Sequence, residues 1–301
     1  MWKTSLKMVT ESSKLMTDPS FFPWLITTAS RSVIGTARDL NKAEAAVSGI
    51  RSAGGSLKLL QLDLASLSSI RAAAVDLLNT GLNFDIVIAN AGVMATPEGK
   101  TEDGFEMQFG TNAIGHFVLI NRISPLLHSG SRIILLSSAA HAVADVNLDD
   151  INFEKSSYDP WIAYGRSKTA VAQLAVEFER RLASKGIHAT AVHPGAIQTE
   201  LQRHYGKELD DAIIQKTNEA NARRGLPPFQ WKTVQQGAAT TVWCAAVAQE
   251  EEIGGKFCED CHVTEINDSE GVTNGVRSYV FDKKKTEALW TKIEELVHEK
   301  F

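Results

Sequence analysis

Ala163-Tyr-Gly-Arg-Ser-Lys168-Thr-Ala-Val-Ala-Gln-Leu174-Ala-Val-Glu-Phe178-Glu-Arg-Arg-Leu182-Ala-Ser-Lys185 reads as one helix closed by Gly186. Val171, Leu174, Ala175, Phe178 and Leu182 recur at three- and four-residue steps, which gives it an apolar face. Gly186 suits the left-handed position that ends a helix. Tyr164 and Lys168 stand four apart, so a phenol and an ammonium project from one side. A cation beside a phenol favours the phenolate and lowers its pKa below about 10, toward acid–base work near neutrality. The same spacing at Tyr279 and Lys283 shows that the pair alone proves little. Its meaning depends on what the rest of the chain brings to it.

Outward from this helix the pattern alternates. Apolar runs of strand length are predicted over 32–37, 57–63, 84–90, 132–137 and 187–193, with a short one over 256–259. Helices are predicted over 40–53, 67–79, 103–127, 233–248 and 284–299, with Ser66 as the cap of the second. Strands apolar on both faces, alternating with helices, imply an α/β fold with a parallel sheet covered on both sides. Right-handed crossovers then make it doubly wound. Residues 1–20 are polar and aperiodic and read as a loose arm, with one domain over 21–301. Residues 200–232 are charged and helix-prone and end in Gly225-Leu226-Pro227-Pro228, as expected of a lid over a substrate cleft.

The chain has 301 residues, 44% hydrophobic and 22% charged, with a net charge of −5 and no basic block. That balance fits a globular protein and argues against nucleic acid as a partner. No run approaches the roughly 18 apolar residues of a membrane span, and neither a secretory leader nor a transit peptide is expected. Three cysteines are too few for a disulfide framework and suit a reducing, cytoplasmic compartment. Cys258-Glu-Asp-Cys261-His262 spells a haem-attachment pattern, but no second cysteine pair completes a metal site, so neither haem nor metal is expected.

In doubly wound sheets ligands bind beyond the carboxyl ends of the strands. Asp63, Asn90-Ala91-Gly92, Ser137-Ser138 and His193-Pro194-Gly195-Ala196-Ile197-Gln198-Thr199 all follow predicted strands. Asn112 lies inside the long helix, where a polar residue near Gly115 marks a local break. Each alone is an ordinary turn or cap residue; their order along one chain is the signal.

That order, Asn90-Ala91-Gly92, Asn112, Ser138, Tyr164-x-x-x-Lys168 and Pro194-Gly195, resembles the short-chain dehydrogenase/reductases. The insert from Asp145 onward, Ser-Ser-Ala-Ala-His141 and Ile253-Gly-Gly-Lys-Phe-Cys-Glu-Asp-Cys261 are similar to its retinol dehydrogenase and WW-domain oxidoreductase branch. The resemblance implies a Rossmann-like oxidoreductase interconverting an alcohol and a carbonyl on a mostly apolar small molecule. Tyr164 would exchange the proton, Lys168 would lower the phenol's pKa and hold the ribose, and Ser138 would hold the substrate oxygen. Asn112 would support a water path. Asn90, Ala91, Gly92 and Asp63 would flank the adenosine, and Ile197 and Thr199 would meet the carboxamide. Family members commonly associate through the Tyr164 helix and the one before it, which makes a homodimer a reasonable assembly.

Cofactor type turns on Ala37-Arg38-Asp39. A carboxylate there favours NAD, whereas an arginine accommodates the 2′-phosphate of NADP. Arg38 comes first, so NADP is expected over NAD, with Asp39 left to pair with Arg38 or to cap the next helix. One family element is missing: a first strand, a Thr-Gly-x-x-x-Gly-x-Gly turn and its helix, whose N-terminus binds pyrophosphate. Trp24-Leu-Ile-Thr-Thr-Ala-Ser30 resembles its start, with Thr28 in the glycine's place, and runs directly into the strand at 32. The first strand–helix unit is therefore expected to be truncated. The alternative function is a catalytically impaired binding or regulatory protein, or an incomplete variant, that does not hold the dinucleotide.

Overall fold

The computed structural model describes residues 6–10, 32–52, 56–204, 206–223, 225, 227–269 and 274–301. Eight strands form one sheet: β1 (Leu6–Thr10), β2 (Ser32–Ala37), β3 (Ser56–Gln61), β4 (Phe84–Ala89), β5 (Leu127–Leu136), β6 (His188–His193), β7 (Phe257–Glu259) and β8 (His262–Val263). Their order is β3-β2-β1-β4-β5-β6-β7-β8. Every pairing is parallel except the last, a β7–β8 hairpin. The order reverses between β1 and β4, the crevice where ligands of such sheets bind.

The arm expected over 1–20 contains a central strand. Leu6–Thr10 lies between β2 and β4, with Met8 level with Ile34 on one side and Val87 on the other. The first strand is thus present, from an earlier segment than the one expected to be lost. Residues 11–31 separate it from β2, which exceeds the dozen a parallel crossover needs. The would-be turn at Trp24–Ser30 and the Gly54-Gly55 helix end lie outside the described residues.

Helices α1 (Leu40–Ser52), α6 (Val234–Ala246) and α7 (Glu250–Ile253) supply Val47, Cys244, Ala245 and Ile253 to a core with Val33, Ile86, Ile134 and Val192 of the sheet. On the opposite face lie α2 (Leu67–Asn79), α4 (Pro160–Leu182), α8 (Lys283–Val297) and a run at 107–123 called α3. Helix α3 passes from Met107–Phe109 through a π-helical turn, Gly110–Ile114, into Gly115–Ile123. The larger core between them holds Phe117, Phe178 and Trp290. Ser66 caps α2 as expected, accepting from Ser69 N at 3.4 Å. The central helix starts earlier than its tyrosine, at Pro160, because Asp159 caps it by accepting from Trp161 N and Ile162 N at 2.8 Å. It ends through a short 3-10 turn, Ala183–Lys185, at Gly186 with φ 71°, as its sequence predicts. Beyond β6, residues 200–232 hold a 3-10 turn, Glu200–His204, and α5 (Lys207–Arg223). Leu226 is outside the described residues. Among the described residues no helix is long and apolar enough to cross a membrane.

Candidate active site

Tyr164 and Lys168 sit one turn apart at the start of α4, buried at 3% and 6% exposure. Gly165 lets the helix press against the chain after Ser138: a Cβ there would stand 3.0 Å from Ala140 O and 3.2 Å from Val143 Cβ. Ser138 leaves β5 and caps the 3-10 turn Ala139–Ala142, accepting from Ala140 N at 3.2 Å. That approach brings its hydroxyl close enough to the Tyr164 phenol to favour the phenolate.

The expected lowering of the phenol's pKa is not what the geometry produces. Burial pushes Tyr164 up to about 12, against a smaller lowering by the Ser138 hydroxyl. Lys168 Nζ donates to Leu136 O at 2.8 Å and stands 5.8 Å from the phenol ring's centroid. Burial also pushes the ammonium down to about 8. Desolvation disfavours whichever form is charged, and here it outweighs the pairing that sequence spacing suggested.

Asn112 lies in the π-helical turn of α3, so the local break expected there is real. Such turns shift side chains by one extra residue and gather at functional sites. Its Oδ1 accepts from Val93 N at 2.8 Å, and its Nδ2 donates to Val93 O and to Ser167 Oγ, both at 2.9 Å. Asn112 thereby ties the β4 end to α4, while its own carbonyl lies 2.9 Å from His116 Nδ1. A Cβ on Gly92 would stand 3.0 Å from Asn112 Oδ1 and 3.5 Å from Lys168 Nζ. The backbone at Gly92 therefore runs directly past both groups.

From Gly92 a cavity of about 210 Å³ extends over the sheet's crevice, with Arg38, Asp63, Ala91, Gly92 and Thr199 in its wall. Asn90 and Ile197 stand outside that wall. Ile197 pairs with Lys232 and packs its side chain within 2.6 Å of where a Cβ on Gly237 would be. Asp39 caps α1 by accepting from Lys42 N at 3.1 Å, which settles one of its two expected roles. Lys42 and Arg203 also line the cavity, and sequence reading missed both. Lys42, one helical turn beyond Arg38, was legible in principle; nothing local marks Arg203.

An apolar wall adjoins the phenol. Met94 and Ala95 cluster with Tyr164, and Ala140, Trp161 and Leu201 pack against them. Ala95 is left-handed, φ 48°, and is held there by Gln108, whose Oε1 accepts its N–H at 2.9 Å. Gln108 is itself fixed, donating to Pro160 O at 2.8 Å and to Tyr158 OH at 3.0 Å. A strained backbone so over-determined is what a shaped site requires. Among the described residues no group of side chains is placed to hold a metal ion.

Comparison with known proteins agrees with this geometry. Residues 25–210 match the family described as short chain dehydrogenase. The short-chain dehydrogenase/reductase prx1 of Penicillium roqueforti is 36% identical over 260 residues, 84% of this chain and 74% of that one. Retinol dehydrogenase 13 of Mus musculus is 38% identical over 232 residues, 75% of this chain and 67% of that one. Among solved structures, an uncharacterized protein from Mycobacterium Paratuberculosis superposes with TM-score 0.72 at 30% identity, covering 99% of this chain and 94% of that one.

Proposed function

The chain belongs to the short-chain dehydrogenase/reductase family, oxidoreductases that interconvert alcohols and carbonyls on small molecules, and we propose that it does so with NADP(H) on a mostly apolar substrate. The observation that carries this reading is the contact of Ser138 and Tyr164 beside Lys168, with the Gly92 backbone running from them into the cavity.

The residues present fit much of the dinucleotide. Arg38 and Lys42 suit a 2′-phosphate, Asp63 and Ala91 would flank the adenine, and the shortness of Gly92 admits a ribose close to Lys168. The diphosphate end differs: no glycine precedes Gly35 in the sequence, so the family's glycine turn has no counterpart in composition. Bound, the nicotinamide would supply or accept a hydride. The chain's own part is then to hold and protonate the substrate oxygen. Ser138 Oγ donates to that oxygen and holds it beside Tyr164, whose phenol gives up its proton in reduction and takes one back in oxidation. Lys168, whose Nζ stands 5.8 Å from the phenol ring's centroid, supplies a positive charge when the phenolate forms. Met94, Trp161 and Leu201 exclude water and favour an aliphatic or aromatic body on the substrate. Phe229 and Trp231, in edge contact at 5.1 Å, belong to the segment we assign as a lid.

Turnover of NADPH with a panel of apolar ketones and aldehydes tests the assignment. Tyr164→Phe is expected to cut kcat by at least about a hundredfold, with the melting temperature within a few degrees of the parent. Retained turnover removes Tyr164 from its role. A second reading, a binding protein that does no redox chemistry, is favoured by the missing glycines alone. It prevails if NADPH neither raises the melting temperature nor is consumed with any member of the panel.

A further inference from the structure

The peptide unit that follows Ser138 is held at both ends by imidazoles. Its carbonyl oxygen, Ser138 O, lies 2.7 Å from His141 Nδ1 and also takes the His141 amide at 3.1 Å. Its N–H, on Ala139, donates to His193 Nδ1 at 3.2 Å. The same nitrogen of His193 receives Gly195 N–H at 3.4 Å, so this ring joins the serine loop to the turn after β6. The far nitrogen of His141, Nε2, receives Arg277 N–H at 3.2 Å.

These partners dictate tautomers. A carbonyl only accepts, so His141 carries its proton on Nδ1 and leaves Nε2 free for the Arg277 amide. Two amides only donate, so His193 keeps Nδ1 bare and carries its proton on Nε2. We propose that His141 and His193, in opposite neutral tautomers, clamp the Ser138–Ala139 peptide and so aim the Ser138 hydroxyl at Tyr164. Both are positioning residues, and the proposal rests on the reading that Ser138 holds the substrate oxygen.

The surroundings keep both rings neutral. His193 faces Lys232, Asp260 and His141, and burial followed by the Lys232 ammonium pushes it down to about 4. His141 faces Arg277, packs 4.7 Å from the Phe257 ring centroid and is likewise pushed down to about 4, chiefly by burial. The Tyr279 hydroxyl donates to the His141 carbonyl and adds no charge to the ring. Protonation of His193 would set an N–H against the Ala139 and Gly195 amides. Protonation of His141 would do the same against the Arg277 amide. The clamp therefore holds at neutral pH and opens in acid.

Two measurements test it. Side-chain nitrogen NMR on the unliganded protein, with the rings assigned from single variants, should show opposite neutral tautomers from pH 5.5 to 8. Matching tautomers or a charged ring in that range overturn the clamp, whether or not the protein turns over substrate. The second compares His193→Asn, which keeps an acceptor oxygen near Nδ1, with His193→Leu, which does not. The leucine variant should lose about tenfold to a hundredfold in kcat, the scale of a small misplacement of a reacting group, with KM little changed. It should also exchange the Ala139 amide faster, while asparagine restores most of both. Equal behaviour of the two variants, in turnover or in exchange, rejects a positioning role. If the parent itself is inactive, the reading of Ser138 fails, while tautomer and amide exchange still decide whether the peptide is clamped.

Discussion

Arg38 illustrates what a single residue reveals. Its position directly after β2 was legible, and so was the competing Asp39; the backbone hydrogen bond from Lys42 N to Asp39 Oδ1 shows the carboxylate engaged as a helix cap. Two cationic side chains, Arg38 and Lys42, then face the cavity, where a 2′-phosphate would sit. Arg38→Ala is expected to weaken NADPH by about tenfold to a hundredfold while leaving NADH nearly unchanged, since one charge-assisted hydrogen bond is worth roughly 1.5–3 kcal/mol. Titration of both cofactors by thermal shift checks it, and equal loss for the two would move the 2′-phosphate elsewhere. Ser138, Asn112, Tyr164 and Lys168 were singled out as candidates by their order along the chain, Ser138 after a strand and the other three within helices. The sign of the Tyr164 pKa shift was not found. Spacing puts the cation nearby, but burial and the Leu136 carbonyl that engages Lys168 depend on remote parts of the chain.

At the level of elements, periodicity located most helices to within a few residues, since an apolar stripe is a local property. The beginning of α4 escaped it, because Asp159 and Pro160 act through capping and fixed φ rather than through hydrophobicity. Helix α8 is fastened to the others by Trp290, whose ring meets Phe117 at 4.7 Å and Phe178 at 5.0 Å in edge geometry. Arg181 lies over its other face at 4.1 Å, and its Nε1 donates to Glu294 at 3.1 Å. Trp290→Ala should cost about 3–5 kcal/mol, the range for truncating a large buried aromatic. Urea unfolding reads this directly, and a loss below about 1 kcal/mol would mean that α8 is not part of the cooperative core. The same element-level logic explains Gly115. A Cβ there would come 2.6 Å from the Leu64 carbonyl, so α3 approaches the β3–α2 connection as closely as a backbone can.

For the whole molecule, three of the described histidines are pushed away from the charged form, His116 and His141 fully buried and His193 half-buried. His116, His141 and His193 are each pushed down from 6.5 to about 4, in every case first by burial. A depressed folded pKa adds stability above the unfolded value, and that stability disappears as pH falls through the folded one. Stability is therefore expected to be full above pH 6.5 and to decline between there and 4, by up to ~3 kcal/mol for each ring that stays neutral. Urea midpoints measured from pH 8 to 4 should show this fall. A flat profile down to pH 4.5 would show the rings to be solvated. By itself, the sequence determined the alternation of strands and helices, the order of the candidate site residues and the lack of any glycine before Gly35. All of these are written in spacing and residue type. Only the tertiary structure decided that Leu6–Thr10 serves as a central strand, since a strand's partners are distant in sequence and five residues carry too little periodicity to name them. Only it decided which groups burial neutralises, and that two histidines, one in the 3-10 turn after Ser138 and one ending β6, share one peptide next to Ser138. Desolvation and hydrogen-bond partners are properties of neighbours in space, and a local pattern does not contain them.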